Sequence, residues 1–245
     1  MIKFENAEVV GWEHAIRGMR NPMNSWEKSD SDYRPILCKR CDNCTSYQLE
    51  HWEDCEKCEV EMETSSHNGF MIGPNDLDLM ARLRNAGTDH RKFMRMITVY
   101  VDITAPLYWW KEFDTYRVGV EKNSCSTMHK IHAKEFTLDD FSHEHLIDDK
   151  SAEVLGLEYL EFLIGGLNKH RKQYLETKDK KYWWQMIQLL PSSYNQKRTV
   201  MLNYEVLTNI YKSRKNHKLD EWHDFCDFIE SLPYSELITG EETFI

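Results

Sequence analysis

The sequence predicts an α+β fold in which a small mixed sheet is flanked by helices, with a short cysteine-rich insertion. Three observations carry this prediction. Residues 97–103 form a β-branched run that alternates between two faces, later segments repeat apolar residues at helical spacing, and five of the seven cysteines lie within residues 38–58. We expect one domain over residues 1–245, with residues 32–68 inserted in it.

The first 31 residues are predicted to form a strand and then a polar loop. Apolar residues between Ile2 and Val9 loosely alternate with polar ones. In the loop that follows, Arg17, Arg20 and Asn24 offer side-chain donors that can bind a phosphate group or the edge of a flavin. The alternative is a solvated polar loop that holds no ligand.

The middle of the chain is predicted to contain a helix, the β-branched strand, a second helix and a second strand. Asn75 or Asp76 caps the first helix and Gly87 closes it. Pro106 suits the first turn of the second helix because its missing N–H needs no partner there. The second strand is expected at about residues 126–132.

Four helices are predicted in the C-terminal part of the chain. The first is amphipathic, Pro191 follows the second, and Asp220 caps the last. Their expected ranges are 151–177, 182–190, 203–215 and 220–231.

Composition limits the class of protein. The hydrophobic content of 41% is enough for a core, and no run of about 18 apolar residues suggests a membrane span. The polar N-terminus lacks the apolar core of a signal peptide, so we expect a cytoplasmic protein. The net charge of −10 disfavours an extended grip on nucleic acid but is compatible with one nucleotide held by a few local cations.

The cysteine cluster has the spacing of a zinc site. It reads Cys38-x-x-Cys41-x-x-Cys44, followed by Cys55-x-x-Cys58. Each C-x-x-C pair places two thiolates on one turn, and two pairs can complete a tetrahedral structural Zn²⁺ site. Five thiols compete for four positions, so which four bind is left open. The alternative is an exposed cysteine-rich loop without metal.

A resemblance to a known family begins in the C-terminal half. Residues 190–214 read LPSSYNQKRTVMLNYEVLTNIYKSR. This run resembles the C-terminal signature of the flavin-dependent thymidylate synthases, in which LP and a short polar turn precede N-x-R-S-L-x-N-F-x-x-L-R. Glu205 stands where the family has an arginine. The matching positions are Asn203, Leu207, Asn209 and Arg214.

The segment Ala105-Pro106-Leu107-Tyr108 resembles the same family. There a strand ends in A-P, and an aromatic-rich helix leads into R-H-R-x-x-S-x-N-E-x-S-x-R-Y. The R-H-R triplet falls on Thr115, Tyr116 and Arg117, so only its third member is kept.

Other positions match the family less closely. With one inserted residue, Asn123 and Ser126 take the places of the second motif's asparagine and final serine. His90 falls near a family histidine, and Arg17 and Arg20 lie where the family has an arginine-bearing loop.

The resemblance implies a flavin-dependent thymidylate synthase-like fold, a homotetramer, FAD and a pyrimidine nucleotide. In the family, methylene-tetrahydrofolate supplies a carbon and NADPH a hydride, and the flavin relays them. The implied roles are FAD binding for His90, Arg117, Asn123, Ser126, Asn203 and Asn209, nucleotide binding for Arg17, Arg20, Lys111 and Tyr116, and catalysis for Arg214.

Residues 104–117 mix aromatic and charged side chains, which suggests a helix packed on one side and bound on the other. Trp109 and Trp110 are predicted to pack on a neighbouring subunit or to stack on a ring. The alternative is an amphipathic core helix with a solvated charged side. The side chains predicted to face inward are Leu107, Tyr108 and Phe113, and those predicted to line a ligand cleft are Lys111, Tyr116 and Arg117.

Three functions fit these patterns. The first is an enzyme that methylates a pyrimidine nucleotide, the second is a non-catalytic nucleotide-binding module on the same scaffold, and the third is an assembly protein that keeps only the fold. Retention of a cofactor separates the third from the others, and turnover separates the first two.

The cysteine spacing generates a testable prediction. We expect elemental analysis of the purified protein to find about one zinc per chain, as for a single four-thiolate site. Removing the metal should lower the melting temperature and the protease resistance of residues 32–68, because a structural zinc contributes folding free energy directly. A metal-free preparation with unchanged stability would contradict the zinc site.

Overall fold

The computed structural model describes residues 2–33, 70–148 and 155–240. The cysteine cluster and its predicted zinc site fall outside these residues. The chain divides into two compact units, and the prediction of a single domain over residues 1–245 stays a prediction. Unit 1 comprises Met1–Asn6, Tyr100–Met201 and Arg214–Cys226, and unit 2 comprises Ala7–Val99, Leu202–Ser213 and Asp227–Ile245.

Helices make up most of the regular structure. They are α1 (Trp12–Arg20), α2 (Pro74–Asn85), α3 (Leu107–Phe113), α4 (Thr127–Lys130), α5 (Gly156–Thr177), α6 (Lys180–Leu189), α7 (Tyr204–Arg214), α8 (Asp220–Glu230) and α9 (Glu236–Thr239). Short 3-10 helices occur at Asn21–Met23, Trp26–Lys28, Arg91–Arg95 and Leu138–Asp140.

Six strands form two sheets within the described residues. They are β1 (Lys3–Val10), β2 (Asp32–Tyr33), β3 (Phe70–Met71), β4 (Thr98–Pro106), β5 (Glu121–Ser124) and β6 (Asn195–Asn203). The larger sheet has the order β1-β4-β6-β5, and β5 runs antiparallel to β6 with Glu121 opposite Met201. Strands β2 and β3 pair antiparallel, with Asp32 opposite Met71. Helices around a small sheet are what the sequence predicted.

The interior of unit 1 is built on the two adjacent tryptophans of α3. Trp109 and Trp110 are both fully buried. Trp109 stacks on Phe113 with ring centroids 5.0 Å apart and tilts against Trp222 at 4.9 Å, while the indole N–H of Trp110 donates to the carbonyl oxygen of Gln196 at 2.9 Å. The prediction that these tryptophans face another subunit or a ligand is therefore wrong, because the chain's own core encloses them.

Helices α5 and α6 also belong to unit 1 and cover a second apolar cluster. Asn168 of α5 ties this cluster to a neighbouring loop, since its side chain donates to the carbonyl of Phe136 at 2.8 Å and accepts from the same residue's N–H at 2.9 Å. Only one face of α5 is used in this packing. The buried members are Ile131, Phe136, Phe141, Leu160, Leu167 and Met186.

The polar loop predicted after β1 is a helix instead. In α1, the side chains of Trp12, Ala15, Ile16 and Met19 are buried. These positions follow the i, i+3, i+4, i+7 spacing of one helical face, which overrides the polar composition of the segment. In unit 2 the ring of Trp12 packs edge-on against Tyr204 at 5.2 Å.

The strand predicted at residues 126–132 lies a few residues earlier, as β5. Ser126 instead begins α4, because its hydroxyl accepts a hydrogen bond from the N–H of His129 at 3.0 Å. A serine whose hydroxyl accepts from the backbone N–H three residues later is a helix N-cap, and this local hydrogen bond outweighs the strand pattern.

The start of α2 also differs from the prediction. The helix begins at Pro74, and neither Asn75 nor Asp76 caps it with its own side chain. The carboxylate of Asp30 supplies the acceptors, at 2.9 Å from the N–H of Asn75 and 3.1 Å from that of Asp76. A carboxylate from a distant loop therefore satisfies donors that a local cap would otherwise bind.

The later helices agree with the predicted ranges to within a few residues, over the part that the structure describes. Helices α5, α6, α7 and α8 fall on the four predicted segments. None of the helices in the described ranges combines the length and the hydropathy needed to cross a bilayer.

Candidate functional site

The clearest polar cluster in unit 1 surrounds Arg214, the last residue of α7. Its Nε donates to the hydroxyl of Tyr116 at 2.9 Å, and its Nη1 donates to Oε2 of Glu112 at 2.8 Å. The guanidinium carbon lies 4.5 Å from the ring centroid of Trp222, within the range of a cation–π contact. Arg214 is therefore fixed on three sides.

Glu112 is the centre of this cluster. Its Oε2 accepts from Arg214, from the indole N–H of Trp222 at 3.1 Å, and lies 3.3 Å from Nε2 of His217. The backbone N–H of Leu219 donates to Nδ1 of His217, which leaves Nε2 as the protonated nitrogen facing the carboxylate. One carboxylate oxygen thus aligns three side chains.

Arg214 keeps donor capacity for a ligand. Its side chain is 18% exposed, and Nη2 makes no hydrogen bond to the residues that the structure describes. A guanidinium oriented by an aromatic ring and a carboxylate is ready to hold a carbonyl or phosphate oxygen, because less rotamer freedom is lost on binding.

The helix α3 determines where these groups lie. Its buried face carries Trp109, Trp110 and Phe113, Glu112 lies half-exposed beside that face, and Tyr116 follows three residues after the helix ends. Tyr108, predicted to pack inward, is half-buried, and its hydroxyl donates to Glu221 at the start of α8 and lies 3.0 Å from Ser142. Burial, followed by the bond to Glu221, raises the pKa of Tyr108 to about 12, so it stays a donor at neutral pH.

A second ion cluster of unit 1 lies at the end of α3. The Nη1 of Arg198 donates to both carboxylate oxygens of Asp114, at 2.9 and 3.2 Å, and Lys122 approaches the same group at 3.0 Å. The guanidinium of Arg198 lies 4.2 Å from the ring centroid of Trp110. Two cations share one carboxylate here, so this end of α3 keeps a positive balance.

The other predicted residues of unit 1 are placed less closely together. Lys111 and Arg117 are exposed, and Nε of Arg117 lies 3.5 Å from a backbone oxygen. Asn123 is exposed on β5, and Ser126 caps α4. Among the predicted binding residues that the structure describes, Tyr116 and Arg214 are joined by a hydrogen bond.

Arg20 and Arg17 belong to unit 2 and differ in how accessible their side-chain donors are to a ligand. Arg20 is 4% exposed, and its Nε lies 2.6 Å from Oδ1 of the fully buried Asp76. Its other nitrogens donate to the backbone oxygens of Ser25 at 3.2 Å and Lys28 at 3.1 Å. Arg20 therefore holds the loop together, whereas Arg17 is exposed and its Nη2 lies 3.1 Å from Nδ1 of His14.

Unit 2 also contains a paired arginine cluster around Glu205. This carboxylate accepts from Nε of Arg91 at 3.3 Å and from both Nε and Nη2 of Arg95. The hydrogen bond from Arg95 outweighs burial and lowers the pKa of Glu205. Nη2 of Arg91 also lies 3.5 Å from the amide oxygen of Asn209, one of the predicted FAD-binding residues.

The chemistry of this cluster fits a phosphate-bearing ligand such as FAD. Two guanidinium groups share one carboxylate, which leaves a net positive charge in a chain whose overall charge is −10. Arg95 is 52% exposed, so part of that charge is accessible. Nearby, His90 is exposed, and the side chain of Asn203 caps α7 by accepting from Val206 at 3.1 Å.

Sequence reasoning missed several of these residues. Glu112, Trp222 and His217 surround Arg214, and Arg91 and Arg95 surround Glu205, but none was predicted as a site residue. Glu112 lies 102 positions from Arg214, and no local pattern encodes such a pair. The acidic residue at a family arginine position was the one available signal, since a buried carboxylate needs cationic partners.

Within the described residues, no group of three or more metal-binding side chains comes together. The zinc site predicted for the cysteine cluster therefore stays a prediction.

Comparisons with known proteins support the fold. No protein-family model matches the chain, and no curated protein matches its sequence. Thymidylate Synthase X (ThyX) from Helicobacter pylori, solved with FAD and dUMP, matches with a TM-score of 0.60 at 15% identity, over 98% of this chain and 98% of that chain. A second structure of the enzyme from the same organism, also complexed with FAD and dUMP, matches with a TM-score of 0.60 at 15% identity, over 96% and 99% of the two chains.

The chain thus has the fold of the flavin-dependent thymidylate synthases, as the sequence motifs predicted. At 15% identity, this likeness shows the fold alone.

The ion cluster around Glu205 generates a stability prediction. We expect Glu205→Gln to lower the free energy of unfolding by about 1–2 kcal/mol at neutral pH, since Arg91 loses its partner while the half-exposed Arg95 can turn to water. Glu205→Arg, which installs the family residue, should cost more, about 3–5 kcal/mol, because three guanidinium groups would meet. Adding Arg91→Glu to the second variant should recover part of the loss.

The pH dependence follows from the lowered pKa of Glu205. Its contribution is complete above the ordinary glutamate pKa and is lost as pH falls through the lower folded-state pKa, so the stability difference between the natural protein and Glu205→Gln should shrink in acid. Urea unfolding at a series of pH values from neutral downward measures this stability difference, with the exposed Glu8→Gln as control. A constant difference across this range would contradict the assignment.

Proposed function

We propose that this protein binds FAD and a pyrimidine nucleotide and methylates deoxyuridylate, with methylene-tetrahydrofolate as carbon donor and NADPH as hydride donor. The fold supports this proposal, because the two matched structures hold FAD and dUMP. The observation that carries it in this chain is Arg214, which is fixed by Glu112, Tyr116 and Trp222 and whose Nη2 makes no hydrogen bond to any described residue.

Each cluster has a proposed role in this reaction. Arg214 holds a carbonyl or phosphate oxygen of the nucleotide, and Glu112 and Tyr116 keep the guanidinium oriented for it. Arg91 and Arg95 bind a phosphate of FAD in place of the family arginine at position 205. The flavin, when bound, carries the hydride between NADPH and the transferred carbon.

The remaining sequence predictions are kept as proposals. Lys111 and Arg17, both exposed, stay proposed nucleotide contacts, while Arg117, Asn123, Ser126, His90, Asn203 and Asn209 stay proposed flavin contacts. Arg20 is left out, because its donors are used inside the chain. A homotetramer and a cytoplasmic location are also retained as proposals.

A second candidate function is a nucleotide-binding module without turnover. Two departures from the family favour it, namely Thr115 and Tyr116 in the R-H-R triplet and Glu205 at an arginine position. A planar guanidinium fork is not replaced by a threonine or a tyrosine. Turnover of deoxyuridylate with folate and NADPH separates the two functions, and its absence despite nucleotide binding would favour the module.

The role of Arg214 is tested by Arg214→Lys. Lysine keeps the positive charge beside Glu112 but cannot offer paired N–H donors, so we expect a nearly unchanged melting temperature. The affinity for dUMP should fall roughly tenfold to a hundredfold, the equivalent of about 1.5–3 kcal/mol for a charge-assisted contact. Isothermal titration calorimetry with dUMP measures this change.

The matched control is Arg82→Lys, since Arg82 is an exposed arginine paired with Asp78 on α2. It should leave both stability and dUMP affinity unchanged. Equal dUMP affinity in the natural protein and Arg214→Lys, or no binding by either, would show that Arg214 has only a structural role.

A further inference from the structure

The outer face of α5, in unit 1, exposes two aromatic side chains. The inner face packs Leu160 and Leu167 into the core, but Tyr159 and Phe162 on the outer face are 65% and 84% exposed. These two side chains are i, i+3 neighbours on the helix, and contiguous exposed apolar side chains, unlike single ones, are typical of interaction surfaces.

Two glycines lie at the middle of this outer face. A Cβ built on Gly165 or Gly166 meets no described atom within 4 Å, so packing within the described chain does not require either glycine. Each costs about 1 kcal/mol relative to alanine in a helix interior. Glycine is tolerated at such a price where another backbone approaches closely.

Charges on this face are divided between its two ends. Glu158 and Glu161 lie before the glycines, and Lys169 and Lys172 lie after them, all exposed. At about 100° per residue these four side chains share one flank of the helix, with Phe162 beside them at the centre of the face. The face is therefore acidic before the glycines, basic directly after them and open in the middle. The exposed Glu176 shares this flank one turn beyond Lys172, but in an antiparallel pair centred on the glycines it would lie beyond the first residue of the second copy's helix.

This arrangement is complementary to itself when two copies run antiparallel. With a two-fold axis at the glycine pair, Glu161 of one copy comes level with Lys169 of the other, and Glu158 with Lys172. A two-fold axis perpendicular to the helices keeps the same flank in contact on both copies, so both pairs form twice. Gly165 of one copy then meets Gly165 of the other at the axis, and Phe162 comes level with Asn168 of the second copy.

We propose that two copies of this chain associate through the outer faces of α5, antiparallel and centred on Gly165 and Gly166. The partner is a second copy because, under that symmetry, the acidic pair of each copy meets the basic pair of the other and the glycines let the two backbones approach closely. This inference is independent of the proposed enzymatic function, and it assigns one contact of the predicted oligomer to a named surface.

The size of the α5 face determines the expected affinity between two copies. The helix has 22 residues, hence a length of about 33 Å, and one helix pair buries an area at the small end of specific interfaces, below ~1,200 Å². We therefore expect association in the micromolar range, weakened by salt because exposed charges contribute to it.

Charge reversal tests the pairing directly. The all-basic variant carries Glu158→Lys and Glu161→Lys, and the all-acidic variant carries Lys169→Glu and Lys172→Glu. Each alone should self-associate at least about tenfold more weakly, because like charges meet at every pair. An equimolar mixture should recover the association, since the two variants complement each other.

Sedimentation equilibrium of the full chain measures each mass, with thermal melting as a check of folding. The control variant reverses two exposed acids elsewhere in unit 1, Glu121→Lys and Glu135→Lys, and should keep the natural mass. We expect each charge variant alone to lose the association through α5, and the equimolar mixture to regain it.

Three results would overturn the proposal. The first is a natural protein that stays monomeric throughout the micromolar range. The second is a pair of folded charge variants that keep the natural mass, or a control that dissociates as they do. The third is a mixture of folded, monomeric variants that fails to associate, which would contradict the antiparallel pairing.

Discussion

Burial of Trp109 and Trp110 is the constraint on which the candidate nucleotide site depends. Each ring can contribute roughly 4–6 kcal/mol of transfer free energy as an upper estimate, whereas an exposed ion pair contributes about 0–1 kcal/mol. Packing therefore sets the orientation of α3, and the charges follow. Trp222, held at 4.9 Å from Trp109, then provides the surface on which Arg214 lies.

The positive charge that the family resemblance implies at position 205 is supplied in this chain by other residues. A carboxylate stands at position 205, where the family resemblance leads one to expect an arginine, but two arginines from the segment Arg91–Arg95 approach it. A local excess of guanidinium charge is therefore present, and it comes from residues that are more than a hundred positions away from Glu205 in the sequence. Loss of a motif residue need not mean loss of its charge.

The sequence predicted the fold well where local patterns are strong. Strand β4 follows the β-branched run, and α5 follows its apolar periodicity. The prediction was wrong at α1, where polar residues obscure a buried apolar stripe. It was also wrong at β5, because the N-cap residue Ser126 was taken as part of a strand. For the candidate site, the sequence predicted Arg214 and Tyr116, which share a hydrogen bond in the structure, but the other partners that orient Arg214 are far apart in sequence and become visible only when the chain is folded.

The central claim is that the chain holds FAD, and the absorbance spectrum of freshly purified full-length protein tests it most directly. Flavin absorbance bands that co-purify with the protein, followed by release on denaturation of a small molecule identified as FAD by mass spectrometry, are the predicted result. If the purified protein shows no flavin bands and does not acquire them after incubation with FAD and removal of the excess, the account is contradicted and a protein that keeps only the scaffold remains.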